Sequence, residues 1–188
     1  MNDKREPMVR LFTGIPLSDS AREHVARTVD GVSGELPGVR WVAEGNWHVT
    51  LKFLGPCEQS RMDEICSMML KTAPLLPFRI EIGGIGAFPS NRSARVIWVG
   101  ADDIDGRAQE VHRVLDRAAV RYGIAREKRR YSPHVTVGRA RKKPVLIPVE
   151  IAERYRDTIT MDVDHVLLLE SELTRSGAVY SVVEKVGG

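Results

Sequence analysis

The chain has 188 residues, 43% of them apolar and 28% charged, with a formal net charge of +3. That composition argues for a soluble, folded protein with a sizeable core, built as one domain or as two halves sharing a cleft. No apolar run is long enough to span a bilayer, and the polar opening from Met1 to Pro7 has no signal-peptide core behind it, so a cytoplasmic location away from the membrane is expected.

In chain order, Val9 to Ile15 reads as a first strand ended by Pro16. Ser18 or Ser20 can cap a helix whose apolar stripe runs Ala21, Val25, Val29, Val32. After a loop marked by Gly31, Gly34, Pro37 and Gly38, Val39 to Val42 begins an extended piece. Trp47 to Leu54 reads as a strand, and Glu58 to Lys71 as a helix with Met62, Ile65, Cys66, Met69 and Leu70 on a core face. Cys57 and Cys66 lack CxxC spacing and read as unpaired thiols of a reducing compartment.

The second half repeats this order. Phe78, Ile80 and Ile82 alternate with Arg79 and Glu81 as a half-buried strand, and Gly83, Gly84 and Gly86 read as a bend between strands. Ala94 to Val99 is another strand, and Asp105 to Tyr122 a helix stopped by Gly123. Pro133 to about Gly138 forms the next strand. Thr160 to Leu169 and Ala178 to about Val186 close the chain, joined through Thr174-Arg175-Ser176-Gly177. Each half thus supplies strands and a helix, a weak internal repeat that fits two lobes facing a cleft.

One tetrapeptide pattern occurs in both halves: His48-Val49-Thr50-Leu51 and His134-Val135-Thr136-Val137. In a strand, side chains two apart share a face. Val49, Leu51 and Phe53 in the first copy, and Val135 and Val137 in the second, then point toward a core, and each copy presents one imidazole and one hydroxyl on the face left free. Histidine titrates nearest neutrality, so two of them on opposing strands can act as base and acid across a reacting centre. Displacement at phosphorus fits best: one imidazole takes a proton from attacking water, the other protonates the departing oxygen. Each such transfer is worth about 10²–10⁴ in rate. Thr50 and Thr136 can donate to non-bridging oxygens, and Arg139 can offset the charge that builds there if the strand bends at Gly138.

A metal site competes, because histidine is a common ligand; yet threonines are poor ligands, and neither copy contains Cys, Asp or Glu. No G-x-S-x-G supports a serine nucleophile. Arg126, Lys128, Arg129 and Arg130 precede the second copy, and Arg141, Lys142 and Lys143 follow it. A basic run is ordinarily a solvated surface, but flanking a candidate site on both sides it favours an anionic substrate. His24 and His112, among charged residues on predicted helices, read as solvated surface, and His165 as facing a packed surface at a strand start.

WHVTLKFLG (Trp47 to Gly55) and SPHVTVGRA (Ser132 to Ala140) resemble the paired signature of the two-histidine (2H) phosphoesterase superfamily. More closely, the chain resembles bacterial and archaeal RNA 2′,3′-cyclic phosphodiesterases, formerly called 2′-5′ RNA ligases. RLFTGIPL (Arg10 to Leu17), ARVIWVG (Ala94 to Gly100) and LLLESELTRSGAVYSVV (Leu167 to Val183) fall in the same order, so the resemblance covers nearly the whole chain. It implies an α+β fold over residues 1–188 as a single bilobal domain: two mainly antiparallel sheets flank a central cleft, with helices outside. It also implies that an RNA with a 2′,3′-cyclic phosphate terminus is hydrolysed to a 2′-phosphate without metal or other cofactor. By the same resemblance His48 is the proton donor, His134 the proton acceptor, Thr50 and Thr136 hold the phosphate, and Arg139 lies near it. A 2H hydrolase of small cyclic nucleotide phosphates and an idle RNA-binding module are the alternatives, and ligation by reversal of the same step stays open.

Overall fold

The structure, a computed structural model, describes residues 6–174 and 177–188. β1 (Met8–Pro16) pairs antiparallel with β3 (His48–Glu58), from Met8 opposite Glu58 to Pro16 opposite His48. β8 (His165–Thr174) lies on the other side of β1, and β9 (Gly177–Gly187) lies outside it. The second half is β7 (Thr158–Val163), β4 (Phe78–Phe88), β5 (Val96–Asp102) and β6 (His134–Ala140), with β2 (Val39–Trp41) paired to β6. All these pairs are antiparallel. The two expected sheets meet where Val49 pairs with Val135, so they form one nine-stranded sheet.

The helices cross over. α1 (Asp19–Ser33) follows β1 yet packs on β4 and β7 of the second half, while α3 (Arg107–Ala119) packs on β3 of the first. Ser18 caps α1, its hydroxyl accepting from the Ala21 amide at 3.3 Å, and Ala21, Val25, Val29 and Val32 form the buried stripe that the sequence predicts. The Asp103 carboxylate accepts from the Ala108 and Gln109 amides at the start of α3, and Gly123 (φ +76°) lies beyond its last turn. α2 (Met62–Met69) and α4 (Val149–Arg154) complete the helices. Val49, Leu51, Val135 and Val137 are buried beneath the sheet, whereas His48, Thr50, His134 and Thr136 are half-buried on its other face. No helix among the described residues is long and apolar enough to cross a membrane.

Two sequence expectations about the strands are corrected. Gly83, Gly84 and Gly86 do not form a bend: β4 runs through them, with a bulge between Gly83 and Ile85. Their lack of side chains makes room, since a Cβ at Gly86 would lie 2.3 Å from the Trp98 ring. The segment from Thr160 to Leu169 is not one strand. It breaks at Asp164 into β7 and β8, which belong to opposite halves, and the buried positions change phase from Met161 and Val163 to Val166 and Leu168. His165 at that break is half-buried and pairs with Asp164. α4 was not foreseen, being too short to display a helical period. The connection at Arg175 and Ser176 lies outside the described residues.

Candidate active site

Both copies of the repeated pattern are strand openings on either side of the Val49–Val135 pair. Continued from that pair, the antiparallel register sets His48 against Thr136 and Thr50 against His134. The four side chains therefore converge on one face around an approximate two-fold axis.

The imidazoles are held alike. His48 Nδ1 lies 2.8 Å from the Asn46 carbonyl, and His134 Nδ1 lies 2.7 Å from the Ser132 carbonyl. A carbonyl can only accept, so Nδ1 carries a proton in both rings and Nε2 is the atom left for chemistry. His48 Nε2 is 2.9 Å from the Thr50 hydroxyl, which donates to it when the ring is neutral. Each ring is also walled by two aromatics. Phe12 and Tyr180 stand 4.8 and 5.4 Å from His48, and Phe88 and Trp98 stand 5.0 and 6.4 Å from His134. A Cβ at Gly14 would fall 3.3 Å from the His48 ring, so glycine there lets β1 approach.

These surroundings set the electrostatics. Burial depresses the His48 pKa below its ordinary 6.5; the Asn46 carbonyl opposes that, and the neighbouring His134 adds to it. Burial likewise depresses His134, opposed by the Ser132 carbonyl and reinforced by the Arg139 guanidinium. Two adjacent rings, each made harder to charge by burial, are suited to opposite proton-transfer roles.

A bulge follows each threonine. Thr50 pairs with Gly14 but Lys52 with Thr13, leaving Leu51 unpaired on β1; Thr136 pairs with Trp98 but Gly138 with Ile97, leaving Val137 unpaired on β5. Each bulge inserts one residue and reverses the alternation beyond it. Arg139 consequently joins the face of His134 and lines the cleft, as the expected bend at Gly138 requires. Phe53 holds the equivalent place five residues after His48; the bulge turns it from the expected core face to the same cleft, where it is 67% exposed.

The cleft has a volume of about 610 Å³, and Thr50, His134, Thr136 and Arg139 are among its walls. Of the flanking basic residues, Arg129 and Arg130 line it, joined by Arg95, which sequence reasoning passed over inside ARVIWVG. Its place was legible only as an arginine one residue before a buried strand. Arg126 instead pairs with Asp116 at 3.2 Å, and Arg141, Lys142 and Lys143 are not among the lining residues. His112 corrects the surface expectation: it is 7% exposed, with Nδ1 2.7 Å from the Leu51 carbonyl and its ring stacked on Tyr131 at 4.3 Å. Tyr131 donates to the Thr50 carbonyl at 3.1 Å, so both rings fix the backbone beneath Thr50. His24 is half-buried, its Nε2 3.1 Å from the Asp157 carbonyl. Among the described residues, no group of three or more His, Cys, Asp or Glu side chains is placed to hold a metal ion.

Comparison with known proteins adds a family to this geometry. The profile of the family described as LigT like phosphoesterase matches the chain twice, over residues 15–98 and 99–180. Each match contains one His-x-Thr pattern, as the internal repeat implies. An RNA 2′,3′-cyclic phosphodiesterase of Methanothermobacter thermautotrophicus is 33% identical over 180 residues, covering 94% of this chain and 97% of the relative. One of Methanocaldococcus jannaschii is 30% identical over 183 residues, covering 94% and 99%. The crystal structure of TT0787 of Thermus thermophilus superimposes with a TM-score of 0.78 at 26% identity, covering 95% of this chain and 97% of that one.

Proposed function

The chain belongs to the LigT like phosphoesterase family of two-histidine enzymes, and from that premise we propose that it opens the 2′,3′-cyclic phosphate at an RNA end, giving a 2′-phosphomonoester. The two relatives described above, which carry this activity in their names, align over 97% and 99% of their length. The observation that carries the reading is the matched pair of imidazoles, each with Nδ1 tied to the carbonyl two residues before it and Nε2 left for proton transfer.

In this reading His134 Nε2 takes a proton from water as the water oxygen attacks phosphorus. The P–O3′ bond breaks, and protonated His48 gives its Nε2 proton to the departing O3′. Thr50 and Thr136 donate to the non-bridging oxygens, and Arg139 offsets the charge that grows on them. No metal ion is needed in this reading: the two imidazoles carry both proton transfers, and Thr50, Thr136 and Arg139, which line the cleft, carry the charge.

The test is incubation of an RNA bearing a 2′,3′-cyclic end with the protein in excess EDTA, followed by identification of the product. A 2′-phosphate formed at an undiminished rate is expected. A 3′-phosphate would reverse the assignment of the leaving oxygen. Activity lost in EDTA and restored by a divalent cation would overturn the metal-free scheme.

A further inference from the structure

Residues 125–131 cross from the end of α3 toward β6 without helix or strand, yet they carry two of the cleft's arginines. What holds them is a buried ion pair that the reaction scheme does not use. Lys52, on the core side of β3 just past the first bulge, lies 2.8 Å from the Asp116 carboxylate of α3, and both side chains are 6% exposed. Lys52 also donates to the Ala125 carbonyl at 2.9 Å. Asp116 accepts from the Glu127 amide at 2.8 Å and from Arg126 Nε at 3.2 Å. Glu127 turns the next residues, its carboxylate accepting from the amides of Lys128 at 3.0 Å and Arg129 at 3.2 Å. At the far end Tyr131 is fixed by the Thr50 carbonyl and the His112 stack.

We propose that Lys52, Asp116 and Glu127 are positioning residues for RNA: they hold residues 125–131 as a preformed strap that presents Arg129 and Arg130 to phosphates upstream of the reacting end. A buried ion pair is a costly means of stabilising a core, and removing one partner leaves the other uncompensated. Here the pair joins β3 to α3 and supplies anchors to a segment that has no ladder of its own. Arginines on a preformed support lose less freedom on binding than arginines on a loose loop. Arg129 and Arg130 take no part in the proton transfers, so their effect grows with the length of the bound strand. This inference rests on the cyclic-phosphodiesterase reading for its substrate.

The test compares an RNA oligomer ending in a 2′,3′-cyclic phosphate with the matching cyclic mononucleotide, using Asp116→Asn and Glu127→Ala in the full chain. Both changes remove a negative charge beside the arginines, so charge alone would strengthen RNA binding. Loss of the strap weakens it. We expect kcat/KM on the oligomer to fall roughly tenfold relative to the mononucleotide, chiefly through KM, together with a shallower salt dependence. Combining Asp116→Asn with Arg129→Gln and Arg130→Gln should add little to the loss from the arginine changes alone. Unchanged or tighter oligomer binding, equal losses on both substrates, or full additivity would overturn the proposal. Glu127 is on the surface, so its variant carries the test if Asp116→Asn fails to unfold cooperatively. If the wild-type protein opens neither substrate, the activity reading fails. The strap is then judged by the affinity of a labelled RNA ending in a 2′-phosphate, with the same sign expected.

Discussion

Val49 of β3 and Val135 of β6 are paired directly and fully buried, and each stands between the histidine and threonine of its own strand. This rung joins the halves of the sheet and acts as the hub of the site. Any shift between the halves at this point would separate His48 from Thr136 and Thr50 from His134. The packing of two valines thus fixes the spacing of four reactive side chains.

Replacing His48 or His134 by Ala should each lower kcat by about 10²–10⁴, with circular dichroism and unfolding temperature close to wild type because neither ring is core. The double variant should lose less than the product of the two single losses, since base and acid act in one step. Near-normal turnover in either single variant would remove that residue from the proton-transfer pair.

The pH profile follows from the depressed pKa values. In the proposed mechanism His134 must be neutral to accept a proton and is the group behind the acid limb, held below 6.5 by burial. His48 must be protonated to donate, and burial lowers it too, so the basic limb of kcat/KM also moves down. The free-enzyme optimum should therefore lie below the ordinary histidine value, with limbs that belong to the coupled pair. Bound phosphate favours the imidazolium, so the basic limb of kcat should lie at higher pH than that of kcat/KM. A kcat/KM that climbs steadily through pH 8 would contradict these assignments.

Arg95, directly before β5, lines the cleft. If it meets one phosphate of a bound strand, Arg95→Gln should reduce the slope of log affinity against log salt by about 0.7. Lys142→Gln, outside the lining residues, should leave the slope nearly unchanged. Titration of a labelled single-stranded RNA across salt concentrations measures both. The reverse ranking would place the RNA on the other side of β6.

Acid should weaken the protein through Asp116. Burial alone would raise its pKa, but hydrogen bonds from Lys52, the Glu127 amide and Arg126 outweigh that and bring it from 3.8 to about 2. A depressed carboxylate stabilises the fold above its unfolded pKa and loses that contribution as pH falls through the folded one. The shift of nearly two units corresponds to roughly 2–3 kcal/mol. The stability difference between wild type and Asp116→Asn, from urea denaturation, should be largest above pH 4 and shrink steadily toward pH 2. A difference that is flat over that range would mean the carboxylate gains nothing from its partners.

Much of the fold was legible because periodicity is local. The stripe of α1, the alternation from His48 to Leu51 and from His134 to Val137, and the stop at Gly123 each depend on residues within one element, and each is found where expected; Phe53, beyond the first bulge, is not. The repeated tetrapeptide likewise named the face of the imidazoles, since alternation fixes it without knowledge of neighbours. Partners across the chain were not legible. His112 looked solvated because its helix is charged; only the packing of α3 on β3 buries it against Leu51 and Tyr131. The break at Asp164 is not legible locally because apolar residues continue across it, and what separates β7 from β8 is the strand each pairs with. Arg139 and Phe53 reach the cleft through bulges, which appear in the register between strands and in neither strand alone. The sequence by itself determined which side chains can move protons. Tertiary structure decided which of them meet, because convergence depends on register, and register is a property of two strands together.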